Sequence, residues 1–274
     1  MAIQNSINTN IGAFVALQNL NQVNTRLDKV QNRVSTGLKV NSAVDDASSF
    51  SIAQGVRGNL KAYEAVSQGL SNGRGVAAVT LAGATAISDL LGDVQKKITE
   101  GQNAGNTTEQ QSILNADFSN LVAQINTFIT NATYNGRNLL SAASTSINVI
   151  ANVDGSTLTI RSNSNFAFQS TNLGAQNISS TVSATQALSA LFLATASINT
   201  VLGNLGADTR TLTFQDDFVS KLVDATSEGL GSIVDADLAK ESSRLQALQV
   251  QQQLSVTTLN IANGNSRNLI NLFQ

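Results

Sequence analysis

The chain of 274 residues contains no cysteine, no histidine and no proline. Without cysteine there is no disulfide and no thiolate site. Without histidine the commonest general base and the usual zinc and haem ligand are missing, so Ser–His–Asp and Cys–His mechanisms are excluded. Carboxylates and lysines remain, but Asp216-Asp217 and Asp235/Asp237 lie one or two residues apart, and such residues do not face each other on a helix. No catalytic, cofactor-binding or metal-ligating set emerges, and a non-enzymatic protein is expected. Proline breaks helix interiors and strand ladders, so its absence suits a chain made of long helices. Charge is scarce too: 12% of residues are charged, about half the average of ~25%. The net charge of −2 gives no basic field for nucleic acid. No run of eighteen apolar residues suggests a membrane span. The opening MAIQNSINTNIGAF lacks the positive region and apolar core of a secretory leader, so any export is expected to proceed without a cleaved signal.

What is present is helical periodicity, and it is clearest at the two ends. Residues 2–36 read as a helix, and the apolar residues Leu20, Val23, Leu27, Val30 and Val34, with Leu38 just past it, recur at intervals of three and four. Gly37 is its natural stop. At the other end, 233–274 reads as one helix with a seam of Leu238, Leu245, Leu248, Val256, Leu259, Ala262, Leu269, Ile270 and Phe273, in which Gln252 and Ser266 take two positions. Its remaining faces are Gln, Asn, Ser and Thr. Two narrow seams of the coiled-coil kind at opposite ends of a chain imply that the termini pair with each other. They also imply that the pair stays loose until further contacts are added.

Between these ends the period changes twice. Ser42 with Asp45 has the form of a capping box opening a helix over about 48–100. That helix carries several glycines, read as sites of close packing or a kink. After a break at 101–106, Thr108 with Gln111 caps a helix to about Asn131, with Leu114, Phe118, Leu121, Ile125 and Phe128 as its seam. Asn135-Gly136 reads as a turn. Alternation around Asp154-Gly155 within 146–162 predicts a β-hairpin. Residues 163–183, rich in Ser, Asn, Thr and Gln, read as an exposed irregular segment. Helical spacing returns over about 184–226, with 228–232 as a glycine joint into the last helix. The expected fold is mainly α: an elongated bundle of long helices with paired N- and C-terminal coiled-coil helices and a small hairpin. The expected domains are a terminal coiled coil (1–40 plus 235–274) and a helical rod (41–234).

Three blocks carry a resemblance: INTNIGAFVALQNLNQ with RVSTGLKVNSAVDDAS near the start, TYNGRNLL at 133–140, and SIVDADLAKESSRLQALQVQQQLSVTTLNIANGNSRNLINLF at the end. In this order they resemble the bacterial flagellins, the subunits of the flagellar filament, over nearly the whole chain. The resemblance implies a structural subunit that polymerises for swimming motility. It would be exported unfolded through the flagellum's own secretion system to the cell exterior and ordered at its termini on assembly. Leu20, Val23, Leu27, Val30, Val34, Leu245, Leu248, Val256, Leu259, Leu269, Ile270 and Phe273 would serve subunit packing. Partners would be further copies, an export chaperone, a cap protein and hook-associated proteins, with neither nucleic acid nor membrane, and no cofactor. The alternatives are a hook–filament junction protein and a non-polymerising helical module of a secretion system. Only 163–183 stands where many family members carry outer domains, so little outer decoration is expected. The family's segment for an animal innate-immune receptor usually contains an Arg-Glu-Leu-type core. Here the aligned residues are Gln95, Lys96 and Lys97, so weak or no activation is expected. Thr145, Ser146, Ser162, Ser164, Ser170 and Thr171 are candidates for O-glycosylation.

Overall fold

A computed structural model describes residues 9–271, with side chains through 264. Six helices and one hairpin follow in order: α1 (Ile11–Thr36), α2 (Ala47–Gly101), α3 (Thr108–Asn131), β1 (Ile147–Ile150), β2 (Thr157–Ile160), α4 (Ser164–Gly174), α5 (Thr181–Val234) and α6 (Leu238–Asn271). They form two compact units. Residues 1–58 with 225–274 make the terminal unit, and 59–224 make the middle unit. The terminal unit therefore takes in the start of α2 and the end of α5, beyond the expected limits at 40 and 235. The reason is a second small core, in which Val40, Ala53 and Val234 are buried against Leu38, Phe50, Leu230 and Ile233.

The middle unit is built on heptad seams. On α2 the inward positions Val66, Leu70, Gly73, Ala77, Thr80, Ala84, Ile87, Leu91, Val94, Ile98 and Gly101 alternate at four and three without a slip. A sustained 3.5-residue period keeps one stripe facing its partners. Three glycines of α2 are close-packing sites. A Cβ on Gly73 would sit 2.7 Å from Val149 Cγ2, one on Gly75 2.7 Å from the Tyr134 ring, and one on Gly83 2.9 Å from the Ala132 Cβ. Gly55, Gly58 and Gly69 face open space instead. No kink is needed, because the helix runs unbroken from Ala47 to Gly101. On α5 the matching seam is Leu191, Ala194, Ile198, Val201, Leu205, Asp208, Leu212, Gln215 and Val219. Its two polar members hold the hairpin: Asp208 accepts from the Arg161 amide and guanidinium at 2.7–3.3 Å, and the Gln215 amide donates to the Ala151 carbonyl at 2.7 Å. The hairpin is antiparallel, pairing Ile147 with Ile160 and Val149 with Leu158.

Four local expectations are corrected. The segment 163–183 is not irregular: it contains α4, which buries Phe166, Ala167, Ser170 and Leu173, and Ile178 after it is fully buried. Its few apolar residues recur at three and four, which the surrounding Ser and Asn obscured. The cap of α2 is Asp46, not Ser42. Asp46 accepts from the amides of Ser48 and Ser49 at 3.0 and 3.1 Å, while Asp45 closes the preceding turn on Asn41 and Ser42. The capping box of α3 is Thr107 with Gln110, one residue earlier than expected. Gln111 is buried and donates to the Gly101 carbonyl at 2.9 Å. Finally, 228–232 is helical, because Gly inside a helix costs only about 1 kcal/mol. Ile233 therefore belongs to α5, and the joint lies at 235–237, where Asp237 accepts from the Lys240 amide at 3.1 Å to start α6. Asn135-Gly136 is the turn its sequence suggests, with φ of 49° and 74° at the two residues.

By length and composition, α2 and α5 would each suffice to cross a membrane, a test that the core helix of a soluble protein also passes. In both helices part of the apolar residues supplies the core of the middle unit, while Ile52 on α2 and Phe192, Leu193, Phe214 and Phe218 on α5 are exposed.

Candidate functional site

The feature of the terminal unit that bears on function is the pairing of α1 with α6. On α1 the inward positions are Ala13, Ala16, Leu20, Val23, Leu27, Val30 and Val34; on α6 they are Glu241, Leu245, Leu248, Gln252, Ser255, Leu259 and Ala262. Both series step by three and four throughout, the signature of knobs into holes. The apolar part of the pair is short. Leu27, Val30 and Leu248 are buried, with Val23, Val34 and Leu245 packed against them. Toward the start of α1 the seam turns small and polar. There Gln252 donates to Asn24 Oδ1 at 2.8 Å, and Asn10 donates to the Ala262 carbonyl at 2.7 Å. At the other end the Arg33 guanidinium meets the buried Glu241 carboxylate at 3.3 Å. These three contacts fix antiparallel register where the apolar residues do not.

The outer surface of the same pair is the reverse. Ile11, Phe14, Val15 and Leu17 on α1 and Val250, Leu254, Val256 and Ile261 on α6 are all exposed, Phe14 at 62% and Leu254 at 61%. In this half of the coiled coil Ala, Gln and Ser join Leu20 and Leu259 inside, while Phe, Leu and Ile also stand outside. Scattered exposed apolar residues are ordinary, but a concentration on one helix pair marks an interaction surface.

The expected packing residues separate accordingly. Leu20, Val23, Leu27, Val30, Val34, Leu245, Leu248 and Leu259 lie on the inward faces of α1 and α6. Leu238 and Val256 do not: they are 49% and 42% exposed, and Ser255 takes the seam position next to Val256. The stretch from Leu248 to Leu259 is eleven residues, which a 4-3-4 step divides at Gln252 and Ser255; placing Val256 in the seam gave way to that period. The side chains of Leu269 and Ile270, and Phe273 altogether, lie outside the described residues, as does the expected helix over 2–8. Residues missed by the sequence reading are the polar pairs Asn24–Gln252 and Arg33–Glu241. The signal for them was the polar residues standing on seam positions.

Of the glycosylation candidates, Thr145, Ser146 and Thr171 are exposed and Ser162 and Ser164 half-buried. Ser170 is unsuited, being 1% exposed with its hydroxyl donating to Asn126 at 2.9 Å. Its place in α4 puts it on the buried face. Gln95 and Lys96 are exposed on α2, and Lys97 bridges Glu100 at 3.2 Å and Asp117 at 3.3 Å.

Comparison with known proteins decides the family. The bacterial flagellin N-terminal helical region matches residues 7–145, and the bacterial flagellin C-terminal helical region matches 188–273. The chain belongs to the bacterial flagellin family. Among its relatives, flagellin FljO of Caulobacter vibrioides is 37% identical over 98% of this chain and 99% of that protein. A flagellin of Brucella melitensis is 34% identical over the same shares. The crystal structure of Bacillus cereus flagellin superposes with a TM-score of 0.51 at 17% identity, covering 55% of this chain and 88% of the other. The match to these two relatives runs nearly end to end.

Proposed function

We propose that this flagellin is the structural subunit of an extracellular bacterial flagellar filament, and that it assembles through the outer face of its α1–α6 pair. The observation that supports this most is the apolar outer face of the coiled coil. Apolar side chains on the outside of a helix pair gain their burial only from other molecules, at roughly 25 cal/mol per Å², and identical copies are the neighbours a homopolymer supplies. The same reading makes the protein a scaffold rather than an enzyme. It also explains why the ends would be held by a chaperone before export, added beneath a cap and joined at the base to hook-associated proteins. A hook–filament junction protein and a non-polymerising secretion module are less well supported, since the relatives named above are flagellins over nearly their full length.

The test is seeded polymerisation followed by electron microscopy. Wild-type chain should elongate seeds into long tubes. Phe14→Ser with Leu254→Ser should raise the monomer concentration needed for growth at least tenfold while leaving monomer melting unchanged, since both side chains already face water. A chain lacking 1–40 and 235–274 should not elongate at all. Tubes from the double variant at wild-type concentration would remove the outer face from the assembly surface.

Two smaller expectations accompany this reading. Gln95, Lys96 and Lys97 in place of an Arg-Glu-Leu-type core make weak or no activation of the innate-immune receptor the expected outcome of a reporter assay. Modification of Thr145, Ser146 or Thr171 would appear as added mass on the intact chain taken from native filaments.

A further inference from the structure

A second surface of the terminal unit is charged rather than apolar. Arg26, Lys29 and Arg33 on α1 and Arg244 on α6 line a groove of about 420 Å³ whose floor is Val30, Ala247 and Leu248. The whole chain has sixteen Lys and Arg, so a quarter of its cations converge here. Glu241 pairs with Arg33 at 3.3 Å and with Arg244 at 3.4 Å, and Asp45 meets Lys29 at 3.6 Å. Arg26 makes no ion pair among the described residues. Four cations thus face two carboxylates, leaving two positive charges in excess on a chain whose net charge is −2.

The same chain carries the complementary pattern. Near the end of α5, Asp224 and Glu228 stand one turn apart on one helical face with Lys221 beside them, and Asp235 follows as the first residue past the helix. All four are exposed, and none has an ion pair among the described residues. Three carboxylates and one ammonium give this stretch two negative charges in excess. Asp224 to Glu228 spans four residues, as does Lys29 to Arg33, so both pairs repeat at about 6 Å along their helices. A nucleic acid is a poorer occupant, because no aromatic lines the groove to stack a base and the net charge of the chain opposes a polyanion.

Resting on the filament reading above, we propose that the groove of Arg26, Lys29, Arg33 and Arg244 receives the Asp224–Asp235 stretch of a second copy, so that each subunit offers one charge pattern and accepts the other. This is a head-to-tail contact, which propagates rather than closes. Exposed ion pairs are individually weak and act chiefly on encounter rate, orientation and salt response. The effect belongs to elongation kinetics.

The experiment measures seeded elongation of full-length chains at low salt and at ~1 M salt, where the Debye length is about 3 Å. Arg26→Glu with Lys29→Glu, and separately Asp224→Lys with Glu228→Lys, should each slow low-salt elongation about tenfold. The two sets combined in one chain should recover most of the rate, and the differences should shrink at high salt. In parallel, zero-length carbodiimide coupling of mixed isotope-labelled wild-type filaments should join Lys29 of one chain to Asp224, Glu228 or Asp235 of another. In monomers Lys29 should couple only to Asp45. This second measurement uses unaltered protein, so it decides the matter if a charge variant misfolds. Filaments in which Lys29 couples only to Asp45, with charge variants elongating at the wild-type rate, would overturn the groove contact and leave the filament reading intact. Wild-type chain that elongates on no flagellin seed would overturn the filament reading and the groove contact with it.

Discussion

The two units use the polar residues on their seams in opposite ways. In the middle unit Ile87, Ile98, Phe118, Ile125, Phe166 and Leu191 have essentially no exposed surface, and the polar residues allowed onto its seams, Asp208 and Gln215, are spent on holding the hairpin. In the terminal unit the polar residues hold the seam itself, and Phe14, Leu254 and Ile261 stand outside it. The difference teaches what each part has to do alone. The middle unit closes a large core of its own, with Phe192, Leu193, Phe214 and Phe218 of α5 left exposed beside it. The terminal pair is an unfinished core, with register set by polar contacts and most of its apolar area left for neighbours.

This contrast can be broken or sharpened by substitution. Phe118→Ala removes a fully buried ring from the middle unit and should cost about 3–5 kcal/mol, seen as a lower midpoint of the main unfolding transition. If the middle unit tolerated it with little loss, the claim of a closed core would fail. Leu248→Ala in the small terminal cluster should cost about 2 kcal/mol, the low end for Leu→Ala. Hydrogen exchange should show that loss in α1 and α6 while the amides of α3 keep their protection.

A pair of glycines makes the comparison within a single helix. Gly73→Ala forces a Cβ to 2.7 Å from Val149, and overpacking of this kind should cost about 1–3 kcal/mol. Gly55→Ala meets nothing within 4 Å and should instead stabilise by about 0.5–1 kcal/mol through helix propensity. Equal effects at both sites, read from thermal melts, would contradict the packing described for α2.

The smallest effect concerns acid. The Ser49 hydroxyl and amide hold the Asp46 carboxyl below its ordinary range, and the Ser48 amide adds to this. At Asp45 burial pushes upward, but donation from Asn41 and Ser42 together with the Lys29 charge outweighs it and the carboxyl again lies low. A carboxyl depressed in the folded state stabilises fully above its unfolded pKa, here about 3.8, and that contribution is lost as pH falls through the lower folded value. The start of α2 should therefore loosen only in strong acid. Asp46→Ala should remove part of this dependence, as read from exchange of the Ser48 and Ser49 amides.

Much of this was legible in the sequence because heptad periodicity survives without tertiary information. The seam of α1, the Gly37 stop, the Asn135-Gly136 turn and the hairpin follow from spacing and turn chemistry, whereas on α3 Val122 and Ile129, not Leu121 and Phe128, are the buried positions. What was not legible follows from competition between local signals. Ser42, Thr108 and Gly229 each offered a plausible helix boundary, and a neighbouring residue or continued helical hydrogen bonding prevailed. Polar composition hid α4, whose four buried positions lie among Ser, Asn and Thr. Val256 was placed in the α6 seam because it is apolar, although the period assigned that position to Ser255. The outward apolar face of α1 and α6 was the least visible, since a one-dimensional pattern does not say which of two stripes meets the partner helix.

The small helix α4 has a practical consequence for anyone wishing to display a foreign segment on this scaffold. It is fastened by Phe166, Leu173 and the Ser170–Asn126 bond, and Ile178 after it packs beside Gly101. An insertion within 164–174 would tear out part of the core. The hairpin loop is a different matter: Asn152, Asp154 and Gly155 between β1 and β2 are half-buried or exposed, and Gly155 has a φ of 83°. A grafted peptide belongs at that tip, where it must respect the closing bond from the Ala151 amide to the Ser156 carbonyl and the amide of Gln215 donating to the Ala151 carbonyl at its base.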